Sequence, residues 1–426
     1  MAFHRSPYGS GSPVACILGS LIICFAIWPQ ASGQAAVLTV TPGGTLRTIG
    51  DAVRAAAPHD TIDITAGAYV EHHLVIDKPL NLRGTGWPQI TSDDSGDVIL
   101  IRSSNVSVSG LQVSGATVSF LRENAAIKVE LSRHVTVRGN RLLNNFFGVY
   151  LAKSDSCEVT GNTIIGRSTD LSVSGNGIHL WYCNHARIDS NAVSGQRDGI
   201  YFEFVTHSLI TRNRSADNLR YGLHFMFSDS CRYEGNEFTR DGAGVAVMYT
   251  NHIQMIANTF SRNWGSAAYG LLLKDIRDSE VRQNKFSQNS VALHMEGSSG
   301  IDLYDNVFTD NGWAVKIMAN CIAIRFSRNS FTNNTFVVAT NSLQTNSTFE
   351  ENYWSGYRGY DLDRDGFGDV PYRPVSLFSL VVEGNPPALI LVRSLLTEVL
   401  NLAEKVIPTL TPAALVDRKP LLRPPS

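Results

Sequence analysis

The sequence predicts an all-β protein, a right-handed parallel β-helix whose coils each take about 22 to 23 residues. The first observation behind this prediction is an asparagine that recurs at intervals of 22 to 29 residues. The recurring residues are Asn140, Asn162, Asn191, Asn213, Asn236, Asn258, Asn284, Asn306, Asn329 and Asn352. Self-similarity at a nearly fixed period is typical of stacked repeats, in which each coil packs only on its neighbours.

The second observation is the pattern of residues around each asparagine. A short alternating run precedes it, as in HVTVRGN, and a second alternating run opened by a small residue follows it. The second runs read GVYL, GIHL, GIYF, GLHF, GVAV, GLLL, ALHM and AVKI. Such period-2 strands leave no room for a helix within a coil. We expect the asparagines to take the left-handed backbone of a tight corner and to hydrogen-bond one another along the stack. A β-sandwich, the alternative, does not explain one corner residue repeated so often.

The first 35 residues have the features of a secretory signal peptide. Arg5 supplies a positive charge, Val14–Trp28 is apolar, and small residues follow at Ala31, Gly33 and Ala35. A membrane anchor is the weaker alternative, because this apolar segment is shorter than the roughly 20 residues of a typical span. We expect cleavage after Gly33 or Ala35 and a mature chain in the periplasm, which N-terminal sequencing of the exported protein would test.

The net charge argues against nucleic-acid binding, and the positions of the cysteines argue against disulfide bonds. The formal net charge of −2 offers no basic field for nucleic acid. Four cysteines lie beyond the signal segment: Cys157, Cys183, Cys231 and Cys321. Cys157 and Cys231 share a predicted column but lie three coils apart, roughly 14 Å, whereas a disulfide needs Cα atoms within about 7 Å. We therefore expect free, buried thiols.

The patterns divide the chain into three regions. These are the signal peptide (1–35), the β-helix (36–380) and a C-terminal helical and proline-rich segment (381–426). Within the β-helix, residues 36–70 are predicted to cap the open end of the solenoid, where apolar core would otherwise be exposed. The cap is expected to contain a short helix over Thr48–Ala57 with Thr48 as its N-cap. Residues 352–374 form an Asp-rich terminal loop.

The C-terminal segment carries a helical stripe of apolar residues between Pro386–Pro387 and Pro408. The stripe consists of Leu389, Val392, Leu395, Leu396, Val399, Leu402, Ala403 and Val406. Two interpretations remain open and are compatible with each other. The helix can close the C-terminal end of the core, or it can dock a partner.

Alternation along each Gly-opened strand also predicts which side chains face outward. The third residues of these strands form one outward column: Tyr150, His179, Tyr201, His224, Ala246, Leu272, His294 and Lys316. The fifth residues form a second: Ala152, Trp181, Glu203, Met226, Met248, Lys274, Glu296 and Met318. Three of the six methionines of the chain therefore fall in one outward column.

The methionine column predicts a soft-metal site. Met226 and Met248 lie on successive coils, and His224 lies two residues from Met226 on the same face. Thioether sulfur and imidazole nitrogen suit Cu(I) in an oxidising compartment, where cysteine would be oxidised. We expect these three residues, with Glu203 or His179 nearby, to form a candidate site that binds Cu(I) transiently. The alternative is an apolar patch under a loop or a partner.

A second motif, DLDRDGFGD, resembles a calcium loop of the EF-hand type. Its candidate ligands are Asp361, Asp363, Asp365, the Phe367 carbonyl and Asp369, and Gly366 provides the tight turn. The twelfth position holds Tyr372 rather than glutamate, so the usual bidentate ligand is missing. We expect a structural Ca²⁺ ion here, against the alternative of a solvated Asp-rich turn.

Two longer strings resemble the NosD family, the periplasmic maturation factors of nitrous oxide reductase. They are RYGLHFMFSDS (220–230) and NYWSGYRGYDLDRDGFGDVPYRP (352–374), and the likeness extends to GAYVE, RDGIYFE, GLLLKD and AEKVIPTLTPAALVDRKPLLRP. Phe227 departs from the family pattern, which often has tyrosine there. The resemblance implies a periplasmic β-helix of the CASH type.

The resemblance also implies a function and partners. The implied partners are an ABC transporter (an ATPase and a permease), a copper chaperone lipoprotein and the reductase apoprotein. The implied role is non-enzymatic and metallochaperone-like: it helps to supply copper to the multicopper centres. Membrane association would occur only through the partners.

The competing class is a polysaccharide-modifying enzyme or a carbohydrate-binding module. A glycosidase needs a pair of carboxyl groups flanking the scissile bond. The outward columns offer only Glu203 and Glu296, four coils or roughly 19 Å apart. A sugar-binding module would use Trp181 and Tyr150 as its platform.

Overall fold

The computed structural model describes residues 35–93, 96–119, 121–167, 169–265, 268–341, 346–407 and 415–425. Over these residues the chain forms the predicted right-handed parallel β-helix, and a regular coil contributes one strand to each of three parallel sheets. The predicted signal peptide falls outside the described residues except for Ala35. None of the described helices is long and apolar enough to cross a membrane.

Each sheet runs the length of the solenoid. Sheet A has 14 strands: Val37–Val40, Thr61–Thr65, Asn81–Thr85, Ser107–Ser109, Thr136–Arg138, Glu158–Thr160, Arg187–Asp189, Leu209–Thr211, Arg232–Glu234, Gln254–Ile256, Arg277–Arg282, Ser299–Tyr304, Ile322–Ser327 and Asn346–Glu350. Sheet B has 13: Ala68–Glu71, Gln89–Ser92, Gln112–Ser114, Arg141–Leu143, Thr163–Ile165, Ala192–Ser194, Arg214–Ala216, Glu237–Thr239, Thr259–Ser261, Lys285–Ser287, Val307–Thr309, Ser330–Thr332 and Tyr353–Trp354. Sheet C has 12: Leu74–Ile76, Ile99–Ile101, Ala125–Glu130, Phe147–Ala152, Ile178–Trp181, Asp198–Glu203, Tyr221–Met226, Ala243–Met248, Tyr269–Lys274, Val291–Glu296, Trp313–Ile317 and Phe336–Thr340.

Helices occur only near the ends of the described solenoid, with one short exception. They are α1 (Ile49–Ala55), α2 (Leu377–Gly384) and α3 (Leu395–Val406), with 3-10 turns at Leu171–Val173 and Pro386–Leu391. The predicted cap helix is confirmed as α1. The Thr48 side chain accepts a hydrogen bond from the Asp51 main-chain N–H, and Ile49, Ala52 and Val53 are buried.

The recurring asparagines form a continuous ladder, as predicted, and all ten are buried. The Nδ2 of Asn162 donates to the Oδ1 of Asn191 at 3.0 Å and to the main-chain oxygen of Val137 at 2.9 Å. The same pattern continues to Asn329 and Asn352 at 2.9 Å. Because each coil supplies both donor and acceptor to its neighbours, the buried amides are satisfied along the whole stack.

The predicted left-handed backbone conformation of these asparagines is wrong. The left-handed conformation belongs to the residue before each of them, such as Gly139 at φ 60°, Ala257 at φ 52° and Arg328 at φ 54°. The asparagine itself must aim its side chain into the ladder. The turn is therefore made one residue earlier, where the side chain points to solvent and many residue types occur.

A second ladder, five residues downstream of the first, was not predicted. Its members include Asn218, Asp241, Asn263, Asn289, Asn311 and Asn334. Asp241 is the only acid among these six. Its Oδ1 accepts hydrogen bonds from Asn218 N and Nδ2, both at 2.9 Å. Its Oδ2 is buried and has no partner among the described residues.

Replacing Asp241 with asparagine is expected to stabilise the protein at neutral pH. Burial raises the pKa of Asp241 well above its ordinary value. An acid whose pKa is raised on folding destabilises the fold once the pH exceeds its unfolded pKa of about 3.9, and the penalty grows until the folded pKa is reached. We expect Asp241→Asn to raise the free energy of unfolding at pH 7 by about 1–3 kcal/mol. The gain should shrink toward pH 4 in urea titrations.

The reverse change provides the control. Asn263→Asp places a second acid in the same ladder and should destabilise the fold at pH 7. An unchanged unfolding midpoint in both variants at both pH values would show that the ladder does not distinguish acid from amide.

The C-terminal end of the core is closed by two pieces of chain. Val375 and Leu415 belong to the main apolar core. Asp417, which is fully buried, continues the first asparagine ladder: its Oδ2 accepts from Asn352 N at 3.0 Å and from Trp354 Nε1 at 2.9 Å. The segment that begins at Leu415 therefore seals the last coil.

The predicted C-terminal stripe does not form one helix over the core. Its first part is the 3-10 turn, and only its second part is α3, in which Leu395 is 75% and Val406 71% exposed. The helix that contributes buried side chains is α2, which was not predicted. Its Phe378 joins Trp313 and Phe336 in a small cluster on the outer face of sheet C, and α3 packs against the same cluster through Leu400.

Candidate metal centre on the outer face of sheet C

The strand register of sheet C confirms both predicted outward columns except for Met318, which follows the last paired residue of its strand, Ile317. Tyr150, His179, Tyr201, His224, Ala246, Leu272, His294 and Lys316 are successive partners. Ala152, Trp181, Glu203, Met226, Met248, Lys274 and Glu296 are successive partners in the same way. The alternate residues, such as Leu223, Phe225 and Val245, are fully buried in the core.

The methionine pair is the centre of the candidate site. Met226 pairs with Met248 on the next coil and with Glu203 on the coil before, so each step is roughly 4.8 Å. Both methionines and Glu203 are half-buried. The hydroxyl of Tyr201 lies 3.6 Å from the Met226 sulfur. The outer face therefore presents two thioethers and one carboxylate in a single line.

His224 lies beside this line, two residues from Met226 on the same strand. Its Nδ1 is 3.4 Å from Arg220 Nη2 and 3.9 Å from Asp198 Oδ2. Its Nε2 is buried and has no partner among the described residues. The Nδ1 edge of the ring faces the Asp198–Arg220 pair, so Nε2 is the ring nitrogen that could bind a metal.

Asp198 and Arg220 form the buried support behind His224. Arg220 Nε donates to Asp198 Oδ1 at 2.8 Å, and a second contact joins its Nη2 to Oδ2. Burial by itself would raise the pKa of Asp198, but the hydrogen bonds from Arg220 and His224 outweigh burial and lower it. The carboxylate is therefore ionised behind the imidazole.

The predicted site residues do not all come together. Glu203, His224, Met226 and Met248 are neighbours, whereas His179 lies two coils from His224 with Tyr201 between them. Neither histidine is as open as predicted: His224 is 5% exposed and His179 8%. Burial lowers the pKa of His179 to about 3, so this imidazole is neutral.

Aromatic rings cover these histidines, from neighbouring coils and, for His224, also from its own strand. The ring centroid of Tyr201 lies 4.7 Å from that of His179 and 4.8 Å from that of His224, and Tyr221 also lies 4.8 Å from His224. Alternation predicts which face a side chain occupies. The repeat also places Tyr201 between the two histidines, but neither rule predicts how its ring packs against them.

The sequence reasoning missed a stack of aromatic rings at the corner that follows the methionine column. Tyr182, Phe204, Phe227 and Tyr249 have ring centroids 4.5 to 5.2 Å apart and φ between 49° and 55°. Positive φ is rare for bulky residues. The sequence alone could have revealed this stack, because each of the four residues directly follows a member of the second outward column.

The Asp-rich loop has a cluster of three carboxylates. Oxygen atoms of Asp361, Asp363 and Asp365 lie within 4.8 Å of one another. Asp361 accepts from the main-chain N–H of Gly366 at 3.0 Å, and Gly366 has φ 95°, as the tight turn requires. Asp369 instead accepts from Leu362 N at 2.7 Å. The structure therefore groups three of the four predicted side-chain ligands.

Repulsion within this cluster is visible in Asp363. The hydrogen bond from the Asp365 N–H lowers the pKa of Asp363, but burial and the charges of Asp365 and Asp369 outweigh it, and the pKa is raised. A bound cation would relieve this repulsion.

Solved structures share the fold of this chain. The catalytic unit of an α-1,3-glucanase from Streptomyces thermodiastaticus matches with a TM-score of 0.58 and 15% identity, over 77% of this chain and 67% of that one. The A-module of a mannuronan C-5 epimerase from Azotobacter vinelandii matches with a TM-score of 0.53 and 13% identity, over 72% of this chain and 94% of that one. At these identities the likeness concerns the β-helix alone.

Sequence comparisons show similarity to one family. A family model described as "Periplasmic copper-binding protein (NosD)" matches residues 161–359. A probable ABC transporter binding protein NosD from Pseudomonas aeruginosa is 29% identical over 415 residues, covering 85% of this chain and 88% of the relative. The protein of the same name from Stutzerimonas stutzeri is 27% identical over 414 residues, covering 85% and 87%. The matched region contains the whole methionine and histidine site, and over this region the chain is similar to the NosD family of periplasmic copper-binding proteins.

Proposed function

We propose that this protein carries Cu(I) in the periplasm for the assembly of the multicopper centres of nitrous oxide reductase. The observation that supports this proposal best is the Met226–Met248 pair on successive coils, with His224 and Glu203 beside it. Two thioethers and an imidazole favour Cu(I) over hard cations such as Ca²⁺ or Mg²⁺. In this proposal copper is cargo, and the protein is an accessory factor rather than an enzyme.

The burial of the ligands fits transient binding. The methionines are half-buried at the surface, whereas the Nε2 of His224 is covered. Cu(I) would meet the sulfur atoms first, and the imidazole would be reached only if Tyr201 or Tyr221 moved. A copper chaperone docked on this face would supply the ion and the missing ligand, and the reductase apoprotein would receive it.

Cysteine takes no part in this proposal. The four cysteines of the described chain are free and buried. Burial raises the pKa of Cys231 to about 12 and that of Cys157 to about 11, which keeps both as thiols. Methionine resists the disulfide chemistry of an oxidising compartment, so a copper carrier there is better built from thioethers.

The alternative of a polysaccharide-modifying enzyme has weaker support. Glu203 and Glu296 are four coils apart in the observed register, roughly 19 Å, too far for a glycosidase pair. A sugar platform of Trp181 and Tyr150 has weaker support as well, because Tyr150 is only 6% exposed and offers little of its ring to a ligand.

The partner we propose for the C-terminal segment is an ABC transporter, an ATPase and permease pair. The curated relatives carry the name ABC transporter binding protein. The exposed stripe on α3, with Leu395, Leu396, Val399, Leu402 and Val406, is a large apolar surface for a secreted protein. We propose that the chain is exported with a cleaved signal peptide and meets the membrane only through this partner.

Titration of the mature protein with Cu(I) under competition by bicinchoninate tests the proposed function. We expect saturable binding that survives excess Ca²⁺ or Mg²⁺. Absence of Cu(I) binding at ligand concentrations that load a known Cu(I) carrier would contradict the proposal.

We also propose a structural Ca²⁺ ion at Asp361, Asp363, Asp365 and the Phe367 carbonyl. The thermal midpoint should then rise with free Ca²⁺, because a ligand that binds only the folded state adds about 2.7 kcal/mol at 100 times its dissociation constant. Scanning calorimetry in Ca²⁺ and in EGTA measures the effect. Asp363→Ala should remove the response and Asp310→Ala, on an exposed turn elsewhere, should keep it. Equal midpoints in Ca²⁺ and EGTA would indicate a plain solvated turn.

A further inference from the structure

A second cluster of soft and polar side chains lies on the same outer face, farther along the methionine column. An open pocket of about 430 Å³ is lined by His294, Glu296, Met318, Asn320 and Asn341. The pocket begins two coils beyond Met248, because Met248, Lys274 and Glu296 are successive partners. It is therefore separate from the site around His224.

The fold gathers the three principal side chains for simple geometric reasons. His294 and Glu296 are alternate residues of one strand and both face outward, while Met295 between them is fully buried. The Met318 N–H donates to the Met295 oxygen at 3.0 Å, which places Met318 directly after the sheet C strand of the next coil. The imidazole, the carboxylate and the thioether thus line one opening.

The two asparagines of the pocket are already engaged by the main chain. Asn320 Oδ1 accepts from Gly297 N at 2.9 Å, and Asn341 Oδ1 accepts from Ala319 N at 2.7 Å. By contrast, neither ring nitrogen of His294 has a hydrogen bond among the described residues, and its Nδ1 is buried. The ring of Tyr269 lies against His294, with centroids 5.0 Å apart, but no side chain in the part of the chain described holds the ring nitrogens.

The charges around the pocket are balanced. Lys274 pairs with Glu296 at 3.6 Å, and Lys316 pairs with Glu383 of α2 at 2.7 Å. Two lysines thus face two glutamates, and there is no surplus of carboxylates to attract a hard divalent cation. A neutral imidazole and a neutral thioether suit a soft monovalent ion better.

We propose that His294 and Met318, with Glu296 as a weak third ligand, form a second Cu(I) site on this face. The proposal deepens the proposed copper function, since it gives the same surface two ion sites, but the second site does not need the Met226–Met248 pair. The two sites are about three coils apart, roughly 14 Å, and are too distant to share one ion.

Copper stoichiometry of three variants tests the proposal. The mature protein, titrated with Cu(I) against bicinchoninate, should bind two ions. His294→Gln combined with Met318→Leu should bind one ion, at the Met226–Met248 site. Met226→Leu combined with Met248→Leu should also bind one ion, at the His294–Met318 site. Met295→Leu is the matched control, because this methionine is adjacent in sequence but points into the core; it should still bind two. Unchanged thermal midpoints should accompany each result.

The outcomes separate this inference from the proposed function. If His294→Gln with Met318→Leu binds as much Cu(I) as the parent, the second site is refuted. If the parent binds one ion that only the Met226–Met248 variant loses, the second site is likewise refuted and the first stands. If only the His294–Met318 variant loses an ion, the second site stands and the first is refuted.

Discussion

Replacing Met226 and Met248 together with leucine is expected to weaken Cu(I) binding at the first site by on the order of 100-fold, since it removes both sulfur ligands. Leucine has nearly the volume and hydrophobicity of methionine, and such exchanges typically cost less than about 1.5 kcal/mol. Both side chains are half-buried at the surface, which limits the cost further. The fold should therefore persist while the copper chemistry is lost.

Two measurements follow from this expectation. Competition titrations give the Cu(I) affinity of the purified variant. Nitrous oxide reductase from cells that carry the variant should be deficient in copper, which metal analysis and its visible absorption report. Met255→Leu, inside the core, is the control and should leave both measurements unchanged. Parental affinity together with a fully copper-loaded reductase would place the site elsewhere.

Replacing Asp417 with alanine is expected to destabilise the protein by about 3–5 kcal/mol, because each buried donor left without an acceptor costs ~1–3 kcal/mol. Asp417 Oδ2 accepts from Asn352 N, Asn352 Nδ2 and Trp354 Nε1 at 2.9 to 3.2 Å. All three donors lie at the end of the core, where water is excluded. Their loss should also loosen the C-terminal segment from the last coil.

The matched variant is Asp417→Asn, whose amide oxygen can take the place of Oδ2. It should lose only the hydrogen bond from Lys419 N and retain most of the stability. Urea unfolding measures both variants, with the exposed Glu158→Ala as a surface reference. Equal unfolding midpoints for Asp417→Ala and Glu158→Ala would show that closure of the end does not depend on this ladder.

Much of the candidate site could be predicted because a β-helix is nearly one-dimensional. Each coil contacts only its neighbours, so the repeat fixes the register, and the register brings Met226 and Met248 together. The same rule could have revealed the second ladder, since Asn263 and Asn289 each follow a first-ladder asparagine by five residues. In this fold, residues one repeat apart in the sequence are in contact in the structure.

Contacts that cross many residues could not be predicted in this way. The hydrogen bonds from Asn352 to Asp417 span 65 residues, and the ion pair of Lys316 with Glu383 spans 67. Periodicity contains no information about where a segment returns after the repeat has ended. For the same reason the packing of α2 on Trp313 and Phe336 was not foreseen, although their strands were.

The sequence by itself determined the coil, the outward columns and the residue types of the proposed copper site, because alternation and a fixed period act locally. The tertiary structure decided which of those residues are accessible. His224 and His179 are covered because tyrosine rings on adjacent coils pack over them, whereas His294 lies in an open pocket of the same column. The register places Tyr201 between the two histidines, but burial depends on how each ring is oriented, and this is set only by packing in the stacked coils.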